Sequence, residues 1–240
     1  MSSRLLLVGH GRMGRLVESI AAESGFAVAG VVDRRSASDR DWPDADVAID
    51  FSVAEAVPST IARLASRGTP VVIGTTGWQA SEVAVREAAA KAQLGVVAAP
   101  NFAIGVNLFL AVAERLGGLM ASQPTFGAWI HELHHAAKRD APSGTALALE
   151  ARLRAGGYAA EVPIASTRAG AIPGTHTVGF DAASETITLT HQARDRAAFA
   201  RGALVAARWV IGKRGWFTMS DVLNLATSRG FGGDAPKEER

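Results

Sequence analysis

Residues 5–14 read LLLVGHGRMG, and this segment is the strongest indication of the fold. The apolar run Leu5 to Val8 predicts a strand covered on both faces. The glycines at 9, 11 and 14 predict a tight turn that opens a helix. In a dinucleotide site, one such glycine makes the turn, one lets the backbone approach a pyrophosphate, and one packs the helix on the strand. The stretch therefore predicts dinucleotide binding at the start of a parallel sheet.

The first hundred residues repeat one pattern of apolar run, turn and amphipathic helix. Further strands are predicted at 27–32, 47–51, 70–73 and 95–99. Parallel strands joined by crossover helices produce this rhythm. Ser52 and Glu55 predict a capping box for a helix that stops at Gly68.

After Pro100 the pattern changes. A helix is predicted from Ile104 to Leu116, ending at Gly117-Gly118. Strands are predicted at 125–132, 162–168, 175–180 and 186–191. Two further helices are predicted at 144–154 and 197–211. We expect an α/β protein with a Rossmann-type parallel sheet and a second α+β domain built on a mixed or antiparallel sheet. The predicted division is a discontinuous dinucleotide-binding domain, 1–103 and 197–240, and a substrate-binding and oligomerisation domain, 104–196.

The composition excludes several classes of protein. Hydrophobic residues make up 48% of the 240 and charged residues 20%, which is unlike a disordered chain. The net charge of +2 is too small for the basic surface of a nucleic-acid binder. Residues 94–113 carry no formal charge, but Pro100 and several Gly and Asn residues argue against a membrane span. The absence of cysteine and of an N-terminal signal core suits a cytoplasmic protein.

The cofactor preference stays open at this point. Asp33 ends the second predicted strand, where a carboxylate bonds the ribose hydroxyls of NADH. Arg34 and Arg35 follow directly and could instead pair with the 2′-phosphate of NADPH. A dinucleotide-binding sensor without catalysis is an alternative that also explains the glycine turn.

Residues 131–135, HELHH, contain the pattern HExxH. On a helix this pattern would place two histidines around zinc with Glu132 as general base, and Glu150 as a possible third ligand. A zinc hydrolase is therefore a further alternative. Pro124 and Gly127 before the motif and Pro142 after it favour a strand instead.

The larger window 132–145, ELHHAAKRDAPSGT, concentrates groups that can carry protons and bind anions. His134, His135 and Lys138 precede a Ser143-Gly144-Thr145 turn that opens a helix. Free N–H groups at a helix start can hold a carboxylate, and the three basic side chains supply charge and protons beside it. The window predicts a site for an anionic substrate.

Taken together, these segments resemble the 4-hydroxy-tetrahydrodipicolinate reductase family over nearly the whole chain. The matching segments are GHGRMGR at 9–15, DFS at 50–52, GTTG at 74–77, APNFAIGVN at 99–107, ELHHAAKRDAPSGTA at 132–146, and RAG followed by G and H at 168–176.

The resemblance implies reduction of a cyclic unsaturated imine dicarboxylate, 4-hydroxy-tetrahydrodipicolinate, to tetrahydrodipicolinate by NADPH or NADH, in lysine and diaminopimelate biosynthesis. It implies His134 as acid/base and Lys138 as proton donor, with His135, Gly144 and Thr145 binding substrate. It implies cofactor contacts from Gly9, His10, Gly11, Arg12, Met13, Gly14, Asp33, Arg34, Gly74, Thr75, Thr76, Ala99, Pro100, Asn101 and Phe102. It implies no metal, nucleic acid or membrane, and a homotetramer assembled through the sheet of the second domain.

Two features depart from the family pattern. The glycine turn is one residue shorter than usual, which affects how a pyrophosphate would sit. The segment 155–166 is shorter than the loop of many relatives, which affects the tetramer and any closure over the site.

Overall fold

The computed structural model describes residues 2–33 and 42–225. The strands are β1 Ser3–Val8, β2 Phe26–Val32, β3 Val47–Asp50, β4 Val71–Ile73, β5 Gly95–Ala98, β6 Gly127–His134, β7 Ile164–Arg168, β8 Thr175–Asp181, β9 Thr186–Gln192 and β10 Gly215–Phe217. The helices are α1 Arg12–Ala21, α2 Val57–Arg67, α3 Glu82–Lys91, α4 Ile104–Met120, α5 Gly144–Ala155, α6 Ala197–Val210 and α7 Met219–Val222.

The first sheet has six parallel strands in the order β10-β5-β4-β3-β1-β2. Side chains along β1 point alternately to the two faces of the sheet. Leu5 and Leu7 pack in the core that includes α6, and Leu6 and Val8 pack in the core that includes α2. Burial on both faces explains why β1 is a continuous apolar run. The predicted Rossmann-type sheet is confirmed.

The strand order reverses between β1 and β3, since β2 lies on one side of β1 and the later strands lie on the other. In open parallel sheets, ligands bind outside the carboxyl ends of the strands at such a switch point. The glycine turn follows β1, and Phe51 and Ser52 follow β3. The topology therefore brings these two turns to one crevice.

The second sheet is mixed, in the order β7-β6-β8-β9. β6 is parallel to β7 and antiparallel to β8, which is antiparallel to β9. Its inner face packs against α4 and α5 through Ile130, Phe180 and Leu149. The predicted second, mixed sheet is confirmed.

Two local predictions are wrong. No capping box forms at Ser52, because a short 3-10 turn at Ala54–Ala56 precedes α2, which has no side-chain cap. Helix α4 does not stop at Gly117 but continues through both glycines to Met120. A Cβ on Gly117 would lie 2.9 Å from the Cα of Leu153, so the two glycines serve a close crossing of α4 and α5 and do not end the helix.

The chain returns to the first sheet at its end. Helix α6 contributes Ala203 and Leu204 to the core on one face of that sheet, and β10 pairs with β5 at its edge. Among the described residues, no helix is long and apolar enough to span a membrane.

Candidate active site

The glycine turn after β1 is shaped by close backbone approach. Gly9 has φ +91°, a left-handed conformation that favours glycine, and a Cβ there would lie 2.7 Å from the Cα of Ser52. A Cβ on Gly14 would collide with the carbonyl oxygen of Gly9. Gly11 differs, because a Cβ there would meet no atom within 4 Å. The first and third glycines thus serve packing within the chain, whereas the middle one faces open space.

Helix α1 begins at this turn with its N-terminus open. Its N-cap residue is Gly11, no side chain caps it, and no acidic residue lies in its first turn. Unbonded N–H groups at a helix start, together with the helix dipole, attract an anion. The open space at Gly11 and the uncapped helix start fit the diphosphate of a dinucleotide.

A cavity of about 710 Å³ extends from this turn over the carboxyl ends of β1, β2 and β3. Of the predicted cofactor residues, Gly9, His10, Gly11 and Asp33 line it. It is also lined by residues that the sequence prediction did not include, namely Val8, Arg15, Val32, Trp42, Phe51, Ser52, Val53, Ala56, Ser59, Thr60 and Arg63. The guanidinium of Arg63 lies 4.7 Å from the ring centre of Trp42, so one wall combines aromatic surface and positive charge.

The remaining predicted cofactor residues are placed differently. On α1, Arg12 is exposed and Met13 packs against the core. Arg34 lies outside the described residues. The hydroxyl of Thr75 donates to Asp50 Oδ1 at 2.9 Å, while Thr76 is exposed and Gly74 packs against the ring of Phe51.

The turn after β5 contains the predicted cofactor residues 99–102. Phe102 is only 2% exposed and contacts Phe51 edge to face at 6.4 Å between ring centres. Asn101 Oδ1 accepts a hydrogen bond from the N–H of Ala103 at 2.9 Å. Ala99 is half-buried and Pro100 exposed. Among the predicted residues of the turns after β4 and β5, Thr76 and Pro100 are the exposed ones.

Asp50 holds the turns after β3 and β4 together. It is fully buried, and its Oδ1 accepts hydrogen bonds from Thr75 and from the N–H of Ser52. Burial raises the pKa of this carboxyl.

The second cluster of functional groups starts on β6, where Glu132 and His134 share the inner face because side chains alternate along a strand. Glu132 is fully buried. One of its oxygens hydrogen-bonds His134 Nδ1, and the other accepts from the Arg168 guanidinium at 2.6 Å. That second oxygen also accepts from the N–H of Ser143 at 3.3 Å.

The electrostatics of this cluster follow from burial and from its ion pairs. Despite burial, the hydrogen bond from Arg168 and those from its other neighbours lower the pKa of Glu132 to about 2. Burial lowers the pKa of His134, against the opposing effect of Glu132. Burial also lowers the pKa of His176 to about 4, and its ring lies edge to face against His134 at 5.1 Å. At neutral pH, His176 is therefore uncharged.

The helix-start part of the site is built on Ser143. Its hydroxyl accepts from the N–H of Ala146 at 3.3 Å, which caps α5, and lies 2.9 Å from His176 Nε2. Gly144 is exposed and Thr145 half-buried at the first positions of the helix. Gly144 and Thr145, the residues predicted to bind an anion, thus lie nearer the surface than Ser143 and His176, which are buried.

Lys138 and His135 lie on the loop between β6 and α5. The ammonium of Lys138 donates to both carboxylate oxygens of Asp140 at 2.8 Å, and this pairing lowers the pKa of Asp140. His135 is exposed. His134, His135, Lys138 and the helix start all lie within one segment of the chain, 134–145.

The zinc-hydrolase alternative is contradicted by the secondary structure. HExxH requires a helix, whereas residues 131–134 belong to β6 and His131 lies on the outer face, 3.0 Å from the hydroxyl of Thr167. Ligand atoms of Glu132, His134 and His176 do lie within 4.8 Å of one another. However, the guanidinium of Arg168 already binds Glu132 and would repel a cation, so this group does not fit a metal site.

Sequence reasoning did not assign a role to Arg168 or His176 and gave Glu132 only the role of a zinc-site base. Each of the three lies on a different strand, β7, β8 and β6. Their meeting depends on strand pairing across more than thirty residues. The only local signal was the alternation that puts Glu132 and His134 on one face.

Comparison with known proteins identifies the family of this chain. Residues 3–102 match the family described as "Dihydrodipicolinate reductase, N-terminus", and residues 105–223 match "Dihydrodipicolinate reductase, C-terminus". The chain is 37% identical over 233 residues to the 4-hydroxy-tetrahydrodipicolinate reductase of Christiangramia forsetii, with 92% of this chain and 97% of the relative covered. It is 41% identical over 236 residues to the enzyme of the same name from Acidiphilium cryptum, with 90% and 94% covered.

A solved structure shares the fold. The dipicolinate-bound dihydrodipicolinate reductase from Paenisporosarcina sp. TG-14 superposes with a TM-score of 0.75 at 22% identity, covering 91% of this chain and 98% of that one. The two family matches follow one another and together cover nearly the whole described chain. The chain therefore belongs to the dihydrodipicolinate reductase family.

Proposed function

We propose that this protein reduces 4-hydroxy-tetrahydrodipicolinate to tetrahydrodipicolinate with NADPH or NADH, in lysine and diaminopimelate biosynthesis. The observation that carries the proposal is the segment 134–145, which contains a half-buried histidine paired with Glu132, a lysine and a helix start whose first residue is exposed, in a chain that also has a cavity suited to a dinucleotide. Family membership supports the same reaction.

The cofactor is held, in this proposal, by the cavity after β1. The N–H groups at the start of α1 bind its diphosphate, with Gly11 leaving room, and Asp33 lies where the ribose is expected. Arg34, outside the described residues, remains the proposed partner of a 2′-phosphate. The backbone of the turns at 74–76 and 99–102 approaches the nicotinamide. When bound, NAD(P)H supplies a hydride.

The substrate's carboxylates bind at the start of α5, to the N–H groups of Gly144 and Thr145, with His135 as a further contact. The substrate's 4-hydroxyl group leaves as water together with a proton from the neighbouring ring carbon, which gives the conjugated imine. Hydride addition to this imine leaves an electron pair that takes up one proton. His134, as the acid/base, supplies that proton, and cationic Lys138 attracts the dianion and donates a hydrogen bond to it. The pairing of Lys138 with Asp140 holds the ammonium near this segment until the substrate's negative charge competes for it.

The test is the loss of reduced-nicotinamide absorbance with freshly prepared substrate, run separately with NADH and NADPH. We expect turnover with the wild type and a fall of roughly 10²- to 10⁴-fold in His134→Ala. The exposed Glu82→Gln, which removes an ion pair on α3, is the matched control and should keep full turnover. Cofactor binding without oxidation would favour the sensor alternative instead.

We further propose a homotetramer in the cytoplasm that assembles through the second sheet, with 1–103 and 197–240 as the cofactor domain and 104–196 as the assembly domain. The outer face of that sheet carries Trp129, Thr177 and Thr190, and the core formed with α4 and α5 lies on the opposite face. A sheet face outside this core suits pairing with a second copy. Sedimentation velocity tests this: Thr190→Arg should reduce the mass of the assembly, and a monomeric wild type would refute it.

A further inference from the structure

The buried carboxylate of Glu132 is not used by the proposed reaction, although the sequence singled it out within HExxH. Its side chain has no exposed surface. Burying a charged carboxylate is costly unless every oxygen is bonded and paired. Here both oxygens are bonded, to His134 on one side and to Arg168 and Ser143 on the other. The contacts of this carboxylate with His134, Arg168 and Ser143 therefore indicate its function.

We propose that Glu132 is a positioning residue, which fixes the His134 ring with its Nδ1 proton directed at the carboxylate and so leaves Nε2 as the nitrogen that exchanges protons with the substrate. This inference rests on the proposed reductase function and extends it. Glu132 acts through His134 and does not itself contact the substrate.

The first support is the tautomer. A carboxylate accepts hydrogen bonds only, so the bond to Glu132 places a proton on His134 Nδ1. In the neutral ring Nε2 is then the acceptor, and in the cation it is the donor. A Cβ on Gly174 would lie 3.0 Å from this Nε2. Glycine at position 174 therefore leaves the space beside Nε2 free of a side chain.

The second support is the balance of charge around His134. The groups that face it are Glu132 on its own strand, Arg168 on β7, His176 on β8 and Lys138 on the following loop. Arg168 and Lys138 oppose protonation, burial does the same, and Glu132 alone favours it. Without the carboxylate, the imidazolium needed for proton donation would be less stable.

The third support is that Glu132 also reaches the substrate-binding element. Its bond to the N–H of Ser143 ties β6 to the residue that caps α5. Arg168 adds a hydrogen bond to the carbonyl of Asp140 at 2.7 Å, within the same loop. One carboxylate therefore sets the position of His134 relative to the helix start.

The experiment uses the full chain with nitrogen-labelled histidine, the His134 signals being assigned by their absence in His134→Gln. In the wild type we expect the neutral ring with its proton on Nδ1. In Glu132→Gln the pKa of His134 should fall by about one unit or more, because an opposite charge has been removed. Glu150→Gln, which removes an ion pair from the same domain, should leave it unchanged.

Kinetics give the second readout. Activity that depends on protonated His134 is lost as pH rises through its pKa, so in Glu132→Gln the alkaline limb of kcat/KM should move to lower pH and kcat should fall about 10²-fold or more. Glu132→Asp keeps the charge on a shorter side chain and should shift the His134 pKa in the same direction by less. It replaces Glu132→Gln if that variant does not fold.

The outcomes separate the two proposals. A wild type that does not oxidise NAD(P)H with substrate overturns the proposed function but leaves the nitrogen signals to decide the role of Glu132. An unchanged tautomer and pKa of His134 in both Glu132 variants would overturn the positioning role even in a fully active enzyme. A fall in kcat with an unmoved alkaline limb would show a merely structural role.

Discussion

Replacing Gly11 by alanine should weaken cofactor binding while leaving the fold almost unchanged. A Cβ at this position meets no atom within 4 Å, so the methyl group fits the free protein. Alanine is a poorer N-cap than glycine, which costs about 0.5–1 kcal/mol and lowers the Tm by about 1–4 °C for a chain of this size. The fold should therefore survive almost unchanged.

Cofactor affinity should respond far more strongly. If the diphosphate sits against the start of α1, the methyl group occupies the space that its oxygens need. Losing one N–H bond to a charged oxygen costs about 1.5–3 kcal/mol, which corresponds to a Kd raised about 10- to 100-fold. Titration calorimetry with NADH and with NADPH measures this change, and circular dichroism gives the Tm.

Two glycines provide the controls. Gly127 also has no atom within 4 Å of an added Cβ and starts β6 away from the cavity, so Gly127→Ala should change neither affinity nor Tm. Gly14→Ala should lower the Tm by about 2–12 °C, because its Cβ would meet the backbone of Gly9 at a cost of about 1–3 kcal/mol. Wild-type affinity in Gly11→Ala would refute the proposed diphosphate position.

Three further predictions concern packing, pH and catalysis. Gly117→Ala should lower the free energy of unfolding by about 1–3 kcal/mol, because its Cβ would press on Leu153, and a urea midpoint equal to wild type would contradict the close helix crossing. The pKa of His176 is about 4 when folded and ~6.5 when unfolded, so the unfolded state binds the extra proton between these values and stability should fall as pH drops from ~6.5 to ~4. Urea unfolding of His176→Asn should show a shallower fall, and an equal slope would argue against a buried neutral ring. Lys138→Ala should lower turnover about 10²- to 10⁴-fold. The control Lys91→Ala, at an exposed position of α3, should not lower it. Equal rates in the two variants would remove Lys138 from the mechanism.

Much of the first domain could be predicted because its signals are local. The run before Gly9 is apolar at every position, as strands covered on both sides require, and three glycines at fixed spacing define one turn. The prediction at Ser52 was wrong because capping residues depend on the exact position at which the helix begins, and a 3-10 turn moves that position by several residues. The prediction at Gly117 was wrong because glycine occurs both at helix ends and where two helices pack closely. Only the position of the partner helix shows which of the two reasons applies.

The site shows the same division. Local sequence predicted His134, Lys138 and the helix start as site residues, since they lie within twelve residues of one another, and this stays a prediction. It also indicated that HExxH lies on a strand, which is confirmed. It gave no indication that Arg168 pairs with Glu132 or that His176 bonds Ser143. Both contacts come from strands that are distant in sequence.

The parallel sheet, the glycine turn and the grouping of basic side chains in segment 134–145 could be predicted, because strand burial, turn geometry and helix starts depend on neighbouring residues. The protonation states of those side chains depend on the folded structure. Burial lowers the pKa of His134, Glu132 raises it and Arg168 lowers it, and Arg168 comes near His134 only because β7 pairs with β6. Electrostatic interactions depend on distance in space and on exclusion of water, and both are set by the fold.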